Sequence, residues 1–439
     1  MKSKTFPHGV HPPEFKELTA EKALERMPAP EKVVIPLLQH FGKPARPLVQ
    51  KGDEVLLGQK IGEADGLFSA SVHSSVSGKV LSVDAYNHPG GNPVLSVTIA
   101  NDGQDRPSPV KKDVRDPFSL TPDEIRSKVR EAGVVGLGGA AFPTAVKLSP
   151  PKNKPIDTLI INGCECEPLL TSDYRLMLES PDEVLKGSQL ARMATGAEHL
   201  IVGIEDNKKK AFDLFQEKIR EYKGEAVLLQ TKYPEGAEKN LIYAVLRRQV
   251  PRGGLPFDVG IVVQNVGTAK AIWEAVSEGK PLYERSLTVS GQAIRDPKNL
   301  IVRIGTSFQD VIEFCRGLKE EGNILVMGGP MMGLAQWSLD VPVIKGTSGI
   351  LAWTVPAPGP EYPCIRCSRC LEHCPMVLAP TQLAKYIRFN KPEEAEKWGI
   401  LDCVECGSCQ YICPSNILLV HWIRLGKNKI QSLRQKKSS

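Results

Sequence analysis

Eight of the 11 cysteines lie between Cys364 and Cys413, in one pattern written twice. Cys364, Cys367, Cys370 and Cys374 precede Pro375 as C-x2-C-x2-C-x3-C-P, and Cys403, Cys406, Cys409 and Cys413 precede Pro414 in the same way. Two-residue loops let three thiolates converge on one face of an inorganic cube, and in the double version of this run the fourth cysteine ligates the other cube. The expected sets are Cys364, Cys367, Cys370 and Cys413 on one [4Fe-4S] cluster, and Cys374, Cys403, Cys406 and Cys409 on the second, with each fourth cysteine at a helix start. Zinc needs four ligands, usually as two separated pairs, and does not need a repeated triplet plus one. A disulfide scaffold is excluded on other grounds. A chain of 439 residues needs no staples, and Met1 to Val10 holds no apolar segment of an export signal.

The length predicts two to four domains. No run approaches the roughly 18 consecutive apolar residues of a membrane span, so a membrane role needs a partner or a surface attachment. The formal charge of +6 is concentrated after Pro414, where Arg424, Lys427, Lys429, Arg434, Lys436 and Lys437 meet no acid. Such a tail reads as a docking element or as a solvated, partly frayed end. No basic stripe accompanies it, and no nucleic-acid partner is expected.

The periodicity changes several times along the chain. Residues 1–30 are polar and Pro-rich, an extended leader. Residues 31–105 carry short β-runs broken by glycine and resemble a lipoyl/biotinyl-type barrel-sandwich. The tip Ala64-Asp65-Gly66 lacks the modifiable lysine, so a structural or docking module is expected rather than a swinging arm. A polar linker spans Asn101 to Pro117. In residues 115–280, helices alternate with strands: Pro122 to Ala132 behind a Thr121 N-cap, the strand Thr158 to Ile161, the helix Pro181 to Ala194, and onward to Thr268 to Ser277. Such alternation predicts a mostly parallel sheet with covering helices. Residues 281–355 return to β patterning and resemble a β-grasp module of the soluble-ligand-binding type. The Pro356 to Pro363 segment is a stiff linker, residues 359–420 form the two-cluster ferredoxin domain, and 421–439 the basic tail.

A glycine-dense loop, Gly136-Leu137-Gly138-Gly139-Ala140-Ala141-Phe142-Pro143-Thr144, has Lys147 just beyond it. Glycines let backbone amides approach a phosphate, and Lys147 can neutralise it. The usual dinucleotide fingerprint follows a strand, whereas this loop follows a helix, so a common Rossmann turn is disfavoured. Downstream, Ile160-Ile161-Asn162 ends a strand, where ligands of open α/β sheets gather, and Gly163-Cys164-Glu165-Cys166-Glu167-Pro168 follows. Acids at a strand end are costly unless hydrogen-bonded or used. A single residue between Cys164 and Cys166 disfavours a disulfide, so both are read as site lining. Cys315 is read as buried and inert.

These segments resemble the flavin loop (R-G-G-A-G-F-P-T-G-x-K) and the N-A-D-E-S-E-P motif of the NADH-binding flavoprotein subunit of respiratory complex I. From His11-Pro12-Pro13 to Cys413-Pro414, the whole chain is similar in domain order to the C component of the Rnf/Rsx ion-translocating ferredoxin:NAD+ oxidoreductase family. The resemblance implies a multidomain α/β and α+β fold in which 115–280 is a Rossmann-like FMN/NADH domain. It implies Gly136, Gly138 and Lys147 on the side of the phosphate of a non-covalent FMN, Asn162 on the flavin or its ribityl chain, and Gly139, Ala140 and a stacking Phe142 facing the nicotinamide nucleotide. Glu165 is implied as a cofactor-binding acid. Glu167 takes the place of an acid that contacts NADH. Tyr233-Pro234-Glu235-Gly236-Ala237-Glu238 resembles Y-x-x-G-E-E, which leaves Gly236 in the cofactor site and Glu238 as an NADH contact. Ala237 replaces the acid nearest the flavin. Gln264-Asn265-Val266-Gly267-Thr268 resembles N-N-V-E-T, with Asn265 and Thr268 as FMN contacts. Cys164 replaces another acid of the motif.

The function so implied is electron transfer between NAD(H), FMN and two [4Fe-4S] clusters, because nicotinamide moves two electrons at once and a cluster one. Implied partners are the other subunits of a membrane complex, integral and iron–sulfur, with ferredoxin reached indirectly. The expected location is peripheral, on the cytoplasmic face, with Ile417 to Leu425, Trp422 and the basic tail as a contact. Two other readings compete: a soluble cobalamin reductase of the microcompartment type, and a non-catalytic wiring subunit with a vestigial flavin loop.

Overall fold

Val33, Ile35, Ile61, Val72, Val80, Val97 and Ile99 are all at least 99% buried, and the strands that carry them close into two facing sheets. One runs in the order Lys32–Pro36, Val94–Asn101, Gly78–Tyr86, Glu54–Val55, and the other in the order Arg46–Pro47, Lys60–Glu63, Val72–His73. Gly78 sits at φ +151°, and a Cβ there would lie 1.9 Å from the Ala100 carbonyl oxygen, so only glycine allows this strand crossing. The computed structural model describes residues 3–109, 113–319, 324–354 and 359–438, with side chains described to 435. Part of each expected linker, residues 110–112 and Pro356 to Pro358, lies outside the described residues.

This barrel-sandwich buries two histidines. His40 is 8% exposed, its Nε2 donates to the Lys43 carbonyl at 2.7 Å, and burial, with Lys345 nearby, pushes its pKa down to about 4. The folded value lies below the unfolded one, so as pH falls the unfolded chain takes the proton first. The contribution of His40 to stability is intact above about pH 6.5 and is lost as pH falls toward about 4. Lowering pH from about 7.5 to about 5.5 is expected to cost about 1.3 kcal/mol through this group alone. Guanidinium midpoints of wild type and His40→Asn at the two pH values check it; the variant's acid loss should be smaller.

In the α/β domain the helix Pro122–Glu131 starts as expected. Thr121 accepts the Glu124 amide, and Glu124 returns a carboxylate to the Thr121 amide, a reciprocal cap. The sheet is parallel throughout, in the order Glu225–Leu229, His199–Glu205, Thr158–Gly163, Ile261–Asn265. The first strand in sequence therefore lies between the second and the fourth. Chain connections diverge there, the place at which open α/β sheets form their ligand crevice, here beyond Gly163 and Asn265. The helices Pro181–Thr195 and Val266–Trp273 pack so closely that a Cβ on Gly187 would lie 1.8 Å from the Ala269 carbonyl oxygen. The helix Lys209–Lys218 is flanked by 3-10 turns, Asp206–Lys208 and Ile219–Tyr222. The helix Ser172–Glu179 was not expected, because no local side chain caps it. Its cap comes from Glu165, whose carboxylate accepts the amides of Asp173 (2.7 Å) and Tyr174 (3.2 Å).

The leader is not a free extension. Lys4 bridges Leu229, Val10 bridges Tyr233, and Leu24–Arg26 adds a parallel edge strand beside Lys298–Arg303 of the β-grasp sheet. That sheet continues with Glu284–Ser290, Gly349–Trp353, Ile324–Met327 and Leu334–Gln336.

In the cysteine domain, the connector between the two runs forms two helices, Pro380–Arg388 and Pro392–Lys397. One-turn helices, Arg369–Glu372 and Ser408–Tyr411, hold the third cysteine of each run. Cys374 and Cys413 follow these turns rather than start a helix, a correction to the sequence reading. The basic tail belongs to a helix, Leu419–Ser438. Ile423 and Ile430 are buried, Arg424 and Lys427 both pair with Glu405, and Arg434 pairs with Glu396. Among the described residues no helix is long and apolar enough to cross a membrane.

Candidate functional site

The glycine loop is folded by its own backbone. The Gly136 amide donates to the Phe142 carbonyl (2.8 Å), and the Ala141 amide donates back to Gly136 (3.1 Å). The loop is pinned over the crevice at Leu137, whose amide donates to Thr268 Oγ1 (2.8 Å) and whose carbonyl accepts from Arg285 Nη2 (2.6 Å). Asn265 lies beneath. A Cβ on Gly138 would be 3.5 Å from it, its Oδ1 accepts the amides of Gly267 and Thr268, and its Nδ2 donates to Asp173 (2.6 Å). Gly136, Gly138, Asn265 and Thr268 are thus brought together at the switch point of the sheet. At the exposed tip, the amides of Gly138, Gly139 and Ala140 meet no acceptor among the described residues. Gly139 is at φ +107° with open space above it. Successive free amides in one turn are groups that can seat an anion.

Lys147 extends from the short helix Thr144–Lys147 to Glu238 Oε1 at 2.5 Å, joining two residues expected separately. Asn162 donates to the Gly236 carbonyl (2.8 Å) and accepts the Cys164 amide (3.1 Å). It ties the strand end to the Tyr233 to Glu238 segment. Cys164 and Cys166 line Gly236 and not the loop tip: a Cβ on Gly236 would be 3.2 Å from Cys166 Sγ.

Three of the expected contact residues also have protein partners. Phe142 packs in an aromatic group with Phe41 and Phe68 of the barrel-sandwich, each centroid 5.9 Å away. The Glu165 carboxylate caps a helix, and burial pushes its pKa up to about 7, against the pull of Lys16. The Glu167 carboxylate accepts the amides of Met331 (3.0 Å) and Met332 (2.9 Å), so it tethers the β-grasp loop to the strand end. Burial raises its pKa as well. Sequence reasoning missed the leader's Lys16, which donates to the carbonyls of Glu165, Glu167 and Leu170 at 2.6–2.9 Å. It also missed Asp173 and the buried Arg285 that faces it. Only a lysine inside an otherwise plain leader hinted at the first.

The eight cysteines sort into two cavities. One, of about 330 Å³, is lined by Cys364, Cys367, Cys370 and Cys413, and a smaller one by Cys374, Cys403, Cys406 and Cys409. Each holds three thiols of one run and the fourth of the other. Among the described residues no three ligand side chains draw round a point that holds a single ion. Three thiols of one run with the fourth of the other is the ligand sorting of the double-cluster run. Burial pushes Cys403 up to about 12 and raises Cys370, Cys374, Cys406 and Cys409, so these sulfurs stay protonated until a metal displaces the proton.

The crevice also fits FMN. Besides the free amides, the buried Thr144 hydroxyl at the loop's exit and the Nε2 of Gln264, the residue before Asn265, have no hydrogen-bond partner among the described residues. Two four-thiol cavities beside a parallel sheet whose switch point is overhung by a glycine loop define an electron-transfer protein of the flavin and iron–sulfur class.

Comparison with known proteins carries this further. Residues 4–104 match the RnfC barrel sandwich hybrid domain, 129–274 the Nuo51 FMN-binding domain, 286–335 the SLBB domain and 362–417 the 4Fe-4S dicluster domain. The chain is 48% identical over 97% of its length to the C component of the proton-translocating ferredoxin:NAD+ oxidoreductase complex of Clostridium ljungdahlii, covering 94% of that protein. It is 45% identical over 99% of its length to the C component of the Na+-translocating complex of Acetobacterium woodii, covering 99% of it. The chain belongs to this family, the C components of ion-translocating ferredoxin:NAD+ oxidoreductase complexes. A crystal structure of an NAD+-reducing [NiFe]-hydrogenase in the H2-reduced state shares the fold, with a TM-score of 0.52 at 21% identity over 67% of this chain and 60% of that one.

Proposed function

We propose that the chain is the peripheral electron-transfer subunit of a membrane-bound ferredoxin:NAD+ oxidoreductase, passing electrons between NAD(H), FMN and two [4Fe-4S] clusters. The observation that carries this is the meeting of the two halves. Asn162 at the crevice holds Gly236, and Tyr233, three residues earlier, donates its hydroxyl to the Cys406 carbonyl at 2.7 Å. FMN, when bound, supplies the conversion between a hydride and single electrons.

The chain's own residues do the rest. The tip amides of Gly138 to Ala140 and Lys147 hold the phosphate. Asn265 and Thr268 fix the loop above the strand ends. Glu238 holds Lys147 in place, and Glu167 locks the β-grasp loop against the Tyr233 segment. Tight side-chain packing between crevice and cysteines excludes water and shortens the path. The relatives are C components of ion-translocating complexes, and on that basis this chain sits on the cytoplasmic face of the membrane, held there by integral membrane and iron–sulfur subunits.

Anaerobic titration of the purified chain with NADH, followed by electron paramagnetic resonance, tests the proposal. Signals of reduced clusters should appear with NADH as they do with dithionite. Signals with dithionite alone would leave only a wiring role.

A further inference from the structure

The two cysteine cavities are not equivalent, and their difference gives the wire a polarity. The cavity with Cys403 and Cys406 abuts the rest of the molecule. Tyr233, 2% exposed, hydrogen-bonds the Cys406 carbonyl, a Cβ on Gly407 would be 3.0 Å from the Met331 carbonyl oxygen, and Asp402 is held by Arg252 Nε (2.5 Å) and the Gly253 amide (3.0 Å). The cavity with Cys364 and Cys367 is lined only by residues of the cysteine domain. Its outer wall, residues 361–369, is exposed at every position, with Ile365 67% exposed. Arg366 and Arg369 stand on this wall without a carboxylate partner among the described residues.

We infer that the Cys364 to Arg369 wall is the exit face of the chain, and that it docks the acidic surface of a second iron–sulfur protein. This rests on the cluster assignment above. Two unpaired guanidiniums beside an apolar side chain form a patch that attracts a negative surface at long range and leaves a short contact over the metal. One electron leaves the outer cluster and one arrives on the partner's cluster. No bond is made and no proton moves. The inner cavity, against Tyr233, faces the flavin crevice, so an electron leaving the flavin reaches it first.

The test uses the full chain with its clusters reduced by dithionite, excess reductant removed, so that it does not depend on NADH or flavin. The acceptor is a purified acidic two-[4Fe-4S] ferredoxin, and stopped-flow absorbance gives the second-order rate. Arg366→Glu with Arg369→Glu should slow transfer about tenfold at low ionic strength, with the difference vanishing in about 0.5 M salt. The charge-reversal pair Lys51→Glu and Lys79→Glu, on the barrel-sandwich, should change it less than about twofold. If glutamate costs iron, the glutamine pair carries the test, with about a threefold loss. A chain with full iron whose rate ignores the arginine charges, or falls equally with the lysine pair, overturns the exit face. A wild-type chain without iron overturns the cluster assignment instead.

Discussion

Cys413→Ala is expected to strip the cluster held by the first cysteine run, not the second. Iron should fall from about eight to about four atoms per chain. The spectrum that remains should match that of Cys364→Ala. Cys374→Ala should remove the other cluster and match Cys403→Ala. The reason is spatial: Cys413 lines the cavity of Cys364, Cys367 and Cys370, and Cys374 lines that of Cys403, Cys406 and Cys409. If each run ligated its own cluster, the pairing of spectra would be reversed. Iron analysis with electron paramagnetic resonance of the four variants decides between the two. A thiol lost from the buried cavity should also loosen the docked domain, since Cys406 packs with Val10 and Tyr233.

Lys147→Ala should cost FMN and leave iron untouched. The variant loses a cation beside the amide seat, and it also frees the Glu238 carboxylate that Lys147 now neutralises at 2.5 Å. A charge-assisted contact to phosphate is worth about 1.5–3 kcal/mol, so affinity should fall roughly 10- to 100-fold. Glu238→Gln, by contrast, keeps a side-chain oxygen that can hold Lys147 while removing the negative charge, so it should hold FMN at least as tightly. Flavin released by acid, measured per chain against FMN added during purification, gives both numbers. An unchanged flavin yield in Lys147→Ala would remove this lysine from the phosphate site.

How much of this could be read from sequence depended on whether the signal was local. The cysteine runs, the Thr121 cap and the alternation around Thr158 to Ile161 are patterns of neighbouring residues, and the structure carries them as read. Glycine spacing likewise marked the loop that Thr268 and Asn265 support from more than a hundred residues away. Signals that depend on distant partners stayed hidden. The helix Ser172–Glu179 has its cap in Glu165, which looked like a cofactor acid because its targets are backbone amides without a sequence signature. Glu167 likewise finds Met331 and Met332 in another domain. Phe142 sits in a recognisable flavin-loop motif, yet its neighbours Phe41 and Phe68 come from the barrel-sandwich. The leader's polar, Pro-rich composition concealed one edge strand and two bridges, since pairings so short leave no periodicity.

Iron and flavin counting on anaerobically purified chain, with a spectrum before and after NADH, addresses the central claim most directly. About eight iron atoms and one flavin per chain are expected, with the flavin absorbance bleached on mixing with NADH. Zinc in place of iron, or a flavin that NADH leaves oxidised while dithionite bleaches it, would contradict a chain built to pass electrons between nicotinamide and clusters.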